Sequence, residues 1–263
     1  MTPVRWRAYA AFAVVAAART RLARAELAGR VVFFLVILGI FRGLWQAVAD
    51  AGMPLAAEPP ALVWYLAITE WVLLSVPPMH LEVHDLIRRG DIAYHVGRPV
   101  SFVGAAVAEG CGTLAVRSPV LLVTAYVGAA AFTSWTPPLP VLIVVVPLGL
   151  CASALLTALY VGLGLLTFWV GDIAPLSWMF QKALFVLGGL MMPLAIYPDA
   201  LQWVASLTPF AATLAAPAAL VLDAPLADAW WVGMRLVLWG GATTLGLAWL
   251  ARRALVRLTL NGG

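Results

Sequence analysis

A chain of 263 residues with 63% hydrophobic and 11% charged side chains is not a soluble globule, because soluble domains average about 45–50% and about 25%. The mean hydropathy of +0.97 predicts an integral membrane protein, and the length allows about six helical spans of roughly 20 residues. The net charge of +4 comes from arginines at the ends of apolar segments, which indicates membrane topology rather than nucleic-acid binding.

In chain order, the first segment, 4–26, has arginines at both ends of an alanine-rich middle. This pattern is typical of an interfacial helix on the cytoplasmic surface. Long apolar runs follow, separated by short polar or proline-containing connections. We interpret 1–263 as one all-α transmembrane domain with six spans, at 27–48, 61–78, 100–133, 141–169, 176–196 and 229–250.

In two stretches the number and length of the helices do not follow directly from the apolar pattern. The run 100–133 would be roughly 50 Å long as one helix, more than the hydrocarbon core of about 30 Å. It therefore forms either one long tilted or kinked helix, or two portions. The segment 197–227 is apolar but carries prolines at 198, 209, 217 and 225, which predicts short broken helices on the outer side before the last span.

The longest polar run, which we call the polar island, covers residues 80–98 between the second and third spans. We expect it to begin with a short amphipathic cytoplasmic helix that ends at Gly90, since glycine often follows a helix C-terminus. His80 and His84 have i, i+4 spacing but no obvious third ligand, so we expect surface residues and no metal site. On this helix the residues expected to face the membrane are Leu81, Val83, Leu86 and Ile87, and those expected to face a partner are His84, Asp85, Arg88 and Arg89.

Basic residues indicate how the chain is oriented. The N-terminal segment, the polar island, Lys182 and the C-terminal arginines all fall on one predicted side. The connections on the opposite side carry acidic residues and almost no basic ones. The positive-inside rule therefore places both termini in the cytoplasm of a multi-pass protein.

Ionisable residues inside the predicted spans need a partner or a wet cavity, and we single out Arg42, Glu70, Glu109 and Arg117. Arg42 and Glu70 lie on adjacent antiparallel helices, so we expect either an ion pair between them or a Glu70 that faces a translocation path. Glu109 and Arg117 are eight residues apart, about 12 Å along a helix, and need separate partners. The sequence contains no Walker motif, so energy for transport must come from a partner or an ion gradient.

Several short motifs resemble those of ABC-2 type transporter permeases, in particular a bacterial subfamily with paired permeases. The resemblance covers nearly the whole chain. The motifs are Arg89-Gly90-Asp91-Ile92-Ala93 with Gly97-Arg98-Pro99, Gly188-Gly189 with Met191-Met192-Pro193, Tyr197-Pro198, and Thr208-Pro209-Phe210 followed by Pro217.

The resemblance implies a permease subunit in the inner membrane of a bacterial cell. Two cytoplasmic ATPase subunits and a second permease, identical or homologous, would complete an exporter of a hydrophobic or amphipathic compound, and no cofactor is expected on this chain. The polar island would be the coupling helix, and its ATPase-coupling residues would be Asp85, Arg88, Arg89 and Asp91.

Two other functions remain open from the residues alone. A proton-coupled secondary transporter would use Glu70 and Glu109 as proton carriers, although the sequence shows no inverted repeat. A membrane enzyme acting on lipids would need a cluster of catalytic polar residues at one interface. The polar island supplies histidines and carboxylates, but not at a recognisable spacing.

Overall fold

The computed structural model describes residues 3–92, 100–222 and 225–262, and within these ranges the chain is helical with no strand. The all-α prediction is therefore confirmed. The helices are α1 (Pro3–Leu22), α2 (Arg24–Asp50), α3 (Pro59–Ser75), α4 (Met79–Arg88), α5 (Phe102–Phe132), α6 (Leu139–Leu165), α7 (Thr167–Val170), α8 (Ala174–Leu187), α9 (Asp199–Ser206), α10 (Pro209–Thr213), α11 (Ala215–Ala219) and α12 (Asp228–Gly262), with a 3₁₀ turn at Leu194–Ile196.

Five helical segments in the described ranges are long and apolar enough to cross a membrane. They establish a multi-pass membrane architecture and correspond to five of the six predicted spans. The segments are Arg24–Asp50, Pro59–Arg88, Phe102–Phe132, Leu139–Val170 and Asp228–Ala254.

The predicted span 176–196 differs from the structure in length. Its helix, α8, has 14 residues, about 21 Å, which is shorter than a hydrocarbon core of about 30 Å. It ends because Gly189 adopts a positive φ of 61°, and Pro193 follows in an extended conformation. The count of six spans therefore stays a prediction, with α8 as the segment on which it depends.

The run 100–133 forms one continuous helix, α5, rather than two portions. Its first turn is capped by Ser101, whose hydroxyl accepts a hydrogen bond from the backbone N–H of Gly104 at 3.3 Å. The helix continues through Pro119. Its 31 residues extend about 46 Å, so α5 is long enough to project beyond a bilayer core.

The helix α3 lies at the centre of the packing. Almost all of its side chains between Leu62 and Val72 are buried, and it contacts α2, α5, α6 and α11. Its buried indoles are hydrogen-bonded: Trp71 Nε1–H donates to the Ser118 hydroxyl at 3.0 Å. The Trp64 Nε1–H donates to the carbonyl of Trp135 at 2.9 Å. A polar atom left unpaired in this core would cost about 1–3 kcal/mol, which these bonds avoid.

Two side chains of α3 hold the turn that follows α8. The Tyr65 hydroxyl donates to the carbonyl of Gly189 at 2.5 Å, and the Thr69 hydroxyl donates to the carbonyl of Leu190 at 2.7 Å. After this turn the chain forms the 3₁₀ turn and the short helices α9, α10 and α11. We call residues 188–222 the broken segment; its three short α-helices lie within 197–227, where the prolines predict them.

The first helix is packed against the domain rather than separate from it. The α1 backbone at Ala13 lies so close to Gly112 of α5 that a Cβ built on this glycine would lie 2.7 Å from the Ala13 Cα. The backbone N–H of Ser101 donates to the Tyr9 hydroxyl at 3.2 Å. A break at Ala23 separates α1 from α2. The predicted first span, 27–48, lies within α2, which begins at Arg24.

Candidate functional site

The apolar face of α4 packs against α6. Met79 and Val83 are almost fully buried, and Gly164 of α6 permits the close approach. A Cβ at position 164 would lie 2.7 Å from the Val83 Cβ and 2.9 Å from the His80 carbonyl oxygen. The expected membrane-facing set is therefore wrong at Val83, which is buried against α6, whereas Leu81 is 47% exposed.

His80 is not a surface residue, so that expectation is wrong for one of the two histidines. His80 is 4% exposed, and its ring lies 4.6 Å from the Tyr160 ring, centroid to centroid. His84 is half-buried. Its Nδ1 lies within hydrogen-bond distance of the Thr167 hydroxyl of α7, at 2.9 Å. Within the described residues, no group of three or more His, Cys, Asp or Glu side chains could hold a metal ion.

The His80 ring begins a chain of aromatic contacts that leads away from α4. Tyr160 of α6 contacts Phe180 of α8 at a ring separation of 5.2 Å. Phe180 in turn contacts Phe210 of α10 at 5.1 Å with nearly perpendicular rings. Such tilted and edge-to-face pairs are favourable aromatic geometries. Side-chain packing therefore connects α4 to the broken segment without a gap.

The other face of α4 presents charge to its surroundings. Asp85, Arg88 and Arg89 are exposed, whereas Asp91 is half-buried. Arg89 lies 3.6 Å from Asp85 in an i, i+4 ion pair, which is worth little at an exposed position. Gly90 has a φ of 79°, the left-handed conformation that stops a helix. The motif residues Ala93, Gly97, Arg98 and Pro99 lie outside the described residues.

Residues 62–261 match the sequence profile of the ABC-2 family transporter proteins. This match covers α3 to α12, including α4 and the broken segment. The chain belongs to the ABC-2 transporter family. Permeases of this family typically work with ATPase subunits, and the match confirms the resemblance drawn from the sequence motifs. A search of curated proteins finds no match to the chain.

In this ABC-2 protein, Arg42 and Glu70 do not form the ion pair that their helices suggested. Arg42 is exposed on α2, whereas Glu70 is 4% exposed within α3. No ion pair between them occurs in the described part of the chain. Glu70 makes no hydrogen bond or salt bridge to any described residue, so a buried carboxyl group lies inside α3 without a protein partner.

Glu109 and Arg117 have separate partners, both near the junction of α1 and α2. Glu109 accepts a hydrogen bond from Arg19 of α1 at 3.3 Å. Arg117 is 7% exposed and contacts Glu26 at 2.6 Å. Glu26 also contacts Arg30 at 3.1 Å. These ion pairs attach the N-terminal helices to α5.

The ion pair of Glu109 bears on the proton-coupled alternative. Glu109 is paired with Arg19, so it is not the isolated carboxyl group that this alternative requires. Family membership does not support that alternative either. Of the two carboxyl groups, Glu70 is the one that is buried without a partner among the described residues.

Sequence reasoning missed Arg235. It is the only basic residue within the predicted last span, 229–250, and that single charge was the signal that could have identified it. In the structure, Arg235 of α12 lines a cavity of about 360 Å³ beside the broken segment.

Proposed function

We propose that this ABC-2 family protein is the membrane-spanning permease subunit of an ATP-binding cassette exporter. One observation carries the proposal: α4 buries one face against α6 and presents Asp85, Arg88 and Arg89 on the other. A short helix anchored in this way, on a chain without an ATP-binding motif, suits docking to a separate ATPase. Asp91, half-buried just after Gly90, would orient the end of the helix.

The packing of α4 suggests how movement would be transmitted. Because Gly164 lets α4 contact the α6 backbone directly, a displacement of α4 would move α6 with it. The contacts from His80 through Tyr160 and Phe180 to Phe210 would carry the same displacement to α8 and the broken segment. Packed interiors transmit strain of this kind because they contain few voids.

The remaining features of the proposal concern assembly and topology. Two ATPase subunits and two permease subunits, identical or homologous, would form the transporter in a bacterial inner membrane. Both termini would lie in the cytoplasm, with α8 as the fifth of six spans and the broken segment outside. The apolar, aromatic-rich spans favour a hydrophobic or amphipathic substrate.

The test combines co-purification with charge reversal. Affinity-tagged chain, extracted from its native membrane in mild detergent, is expected to bring an ATPase subunit with it in stoichiometric amount. The double variant Arg88→Glu, Arg89→Glu is expected to lose that subunit and the stimulated ATPase activity, while its level in the membrane stays unchanged. Charge reversal on a docking helix places like charges opposite each other across the interface, which weakens binding and disturbs the alignment of the two proteins.

The chain offers a matched control in its other adjacent arginine pair, Arg252 and Arg253 of α12. Arg252→Glu, Arg253→Glu makes the same change in charge near the same predicted membrane face. This control is expected to keep the ATPase subunit. Equal recovery from both double variants, or full activity of the Arg88→Glu, Arg89→Glu variant, would exclude α4 as the docking helix.

A further inference from the structure

A cavity of about 360 Å³ lies between α3, the broken segment and α12. Its volume falls within the range of small-molecule sites, about 300–1,000 Å³. Much of its wall consists of small apolar side chains, among them Ala211, Ala215 and Ala219.

The polar side chains of this wall differ in whether they are engaged. The Tyr65 hydroxyl donates to the carbonyl of Gly189 at 2.5 Å, and the Ser206 hydroxyl donates to the carbonyl of Trp203 at 2.7 Å. Arg235, in contrast, makes no hydrogen bond, ion pair or cation–π contact with the residues that the structure describes. It therefore supplies a positive charge, unpaired among the described residues, to a cavity whose wall is largely apolar.

The position of Arg235 makes this charge costly without a ligand. It lies seven residues after Asp228, about 10 Å along α12, within a segment apolar enough to cross a membrane. Ionisable residues inside such segments are expensive and usually pair with another group or face a functional cavity. Because the described residues provide no partner, Arg235 is available to a counter-charge from another molecule.

The geometry points to a binding site for an amphipathic anion in this cavity. The phosphate or carboxylate of the ligand lies on the Arg235 guanidinium, which can make two parallel charge-assisted hydrogen bonds to it. The acyl chain lies along the wall formed by the alanines of α10 and α11. The ligand is either a phospholipid of the surrounding bilayer or an amphiphile that reaches the site from solution, since both present the same two groups.

The competing explanation for Arg235 is that its side chain extends to the membrane surface, as long basic side chains often do. In that case its contacts are with any headgroup at the interface, and the apolar wall plays no part. The two explanations differ in stoichiometry. A cavity binds one ligand per chain, whereas an interface attracts anionic lipids without saturating at one lipid per chain.

The first experiment needs no variant. The purified full-length chain in dodecyl maltoside is titrated with radiolabelled oleoyl lysophosphatidic acid, and oleoyl lysophosphatidylcholine serves as the probe with the same chain and no net charge. We expect saturation near one lysophosphatidic acid per chain, with affinity about tenfold or more above that of lysophosphatidylcholine. Equal affinity for the two probes, or binding without saturation, overturns the site.

Variants then separate the charge from the wall. Arg235→Gln is expected to remove the preference for lysophosphatidic acid, and Arg235→Lys to keep most of it. Arg252→Gln, the same change elsewhere on α12, is expected to leave binding unchanged. Ala219→Phe places a ring in the wall and is expected to weaken both probes. The proposal is contradicted if the Arg235→Gln chain elutes from gel filtration like the wild type and still prefers lysophosphatidic acid to lysophosphatidylcholine.

The source of the ligand is identified in nanodiscs. Phosphatidylglycerol nanodiscs suppress binding of the probe if the bilayer lipid is the occupant, whereas phosphatidylcholine nanodiscs do not. Probe binding that persists in both kinds of nanodisc identifies an amphiphile from solution as the ligand. Either result requires that the site exists. None of these measurements requires an ATPase or transport, so their failure leaves the proposed permease function standing.

Discussion

The Arg117 guanidinium lies 2.6 Å from the Glu26 carboxylate, although the two residues are 91 positions apart in the chain. The same Glu26 oxygen accepts from Arg30 of α2, whose other nitrogen donates to the carbonyl of Leu74 at 3.0 Å. One carboxylate therefore joins α5 to the start of α2, and through Arg30 to the end of α3. These contacts lie between the N-terminal helices and the connection that leads to α4.

Replacement of Glu26 is expected to destabilise the protein. In Glu26→Ala, Arg117 is left buried without its anion, and its Nη1 already has no hydrogen-bond partner. Arg30 and Arg117 would also lose the shared group that separates their like charges. We expect the free energy of unfolding in mixed micelles to fall by about 1–3 kcal/mol, since Glu26 itself is half-exposed and screened by solvent.

Glu58→Ala is the control, because Glu58 is exposed and forms no ion pair within the described residues. Glu26→Gln keeps an acceptor oxygen and is expected to lose less stability than Glu26→Ala. If Glu26→Ala and Glu58→Ala unfold at the same denaturant concentration, the Glu26–Arg117 pair contributes nothing measurable to the fold.

The sequence predicted the parts of this architecture that depend on local pattern. The apolar runs predicted an all-α membrane protein, the prolines predicted the broken segment, and Gly90 predicted the end of α4. Each of these follows from residues close together in the chain. The separate partners of Glu109 and Arg117 were also expected, because eight residues of helix keep the two side chains apart.

The sequence could not predict how each helix is rotated about its axis. Adjacent antiparallel helices suggested an Arg42–Glu70 pair, but Arg42 turns outward while Glu70 turns into the core. His80 is buried because Gly164, 84 positions later, lets α6 approach α4. Such long-range contacts depend on tertiary packing, which hydropathy and spacing do not encode.

The close approach at Gly164 gives a second prediction. Gly164→Ala places a methyl group 2.7 Å from the Val83 Cβ and 2.9 Å from the His80 carbonyl oxygen. Both neighbours belong to the body of α4, so α4 must shift away from α6. We expect a loss of about 1–3 kcal/mol in the free energy of unfolding. Under the proposed function, ATPase stimulation falls as well.

Gly241→Ala is the matched control, since the same substitution on α12 meets no atom within 4 Å. Alanine is the better helix former by about 0.8–1.0 kcal/mol, so this variant is expected to be neutral or slightly more stable. Gly164→Ala should therefore lose stability, whereas Gly241→Ala should not. A stable Gly164→Ala chain would mean that α4 does not pack on α6 in the membrane.

The hydrogen bond between the Tyr65 hydroxyl and the Gly189 carbonyl gives a third prediction. Tyr65→Phe removes the donor and leaves a buried carbonyl at the turn after α8, while the ring keeps its packing in α3. Among the described residues, the hydrogen bond from the Thr69 hydroxyl to the Leu190 carbonyl is then the one that still joins the turn to α3. We expect a cost of about 1 kcal/mol and faster hydrogen exchange confined to the broken segment.

The comparison with Tyr126→Phe separates a local from a general effect. The Tyr126 ring contacts Trp64 on the side of α3 that faces α5, and its hydroxyl makes no hydrogen bond within the described residues. Exchange in the broken segment is therefore expected to stay at the wild-type rate in Tyr126→Phe and to rise in Tyr65→Phe. A uniform rise over α3, α5 and α6 in Tyr65→Phe would instead show that the bond stabilises the whole bundle, so that the broken segment does not open as a separate unit.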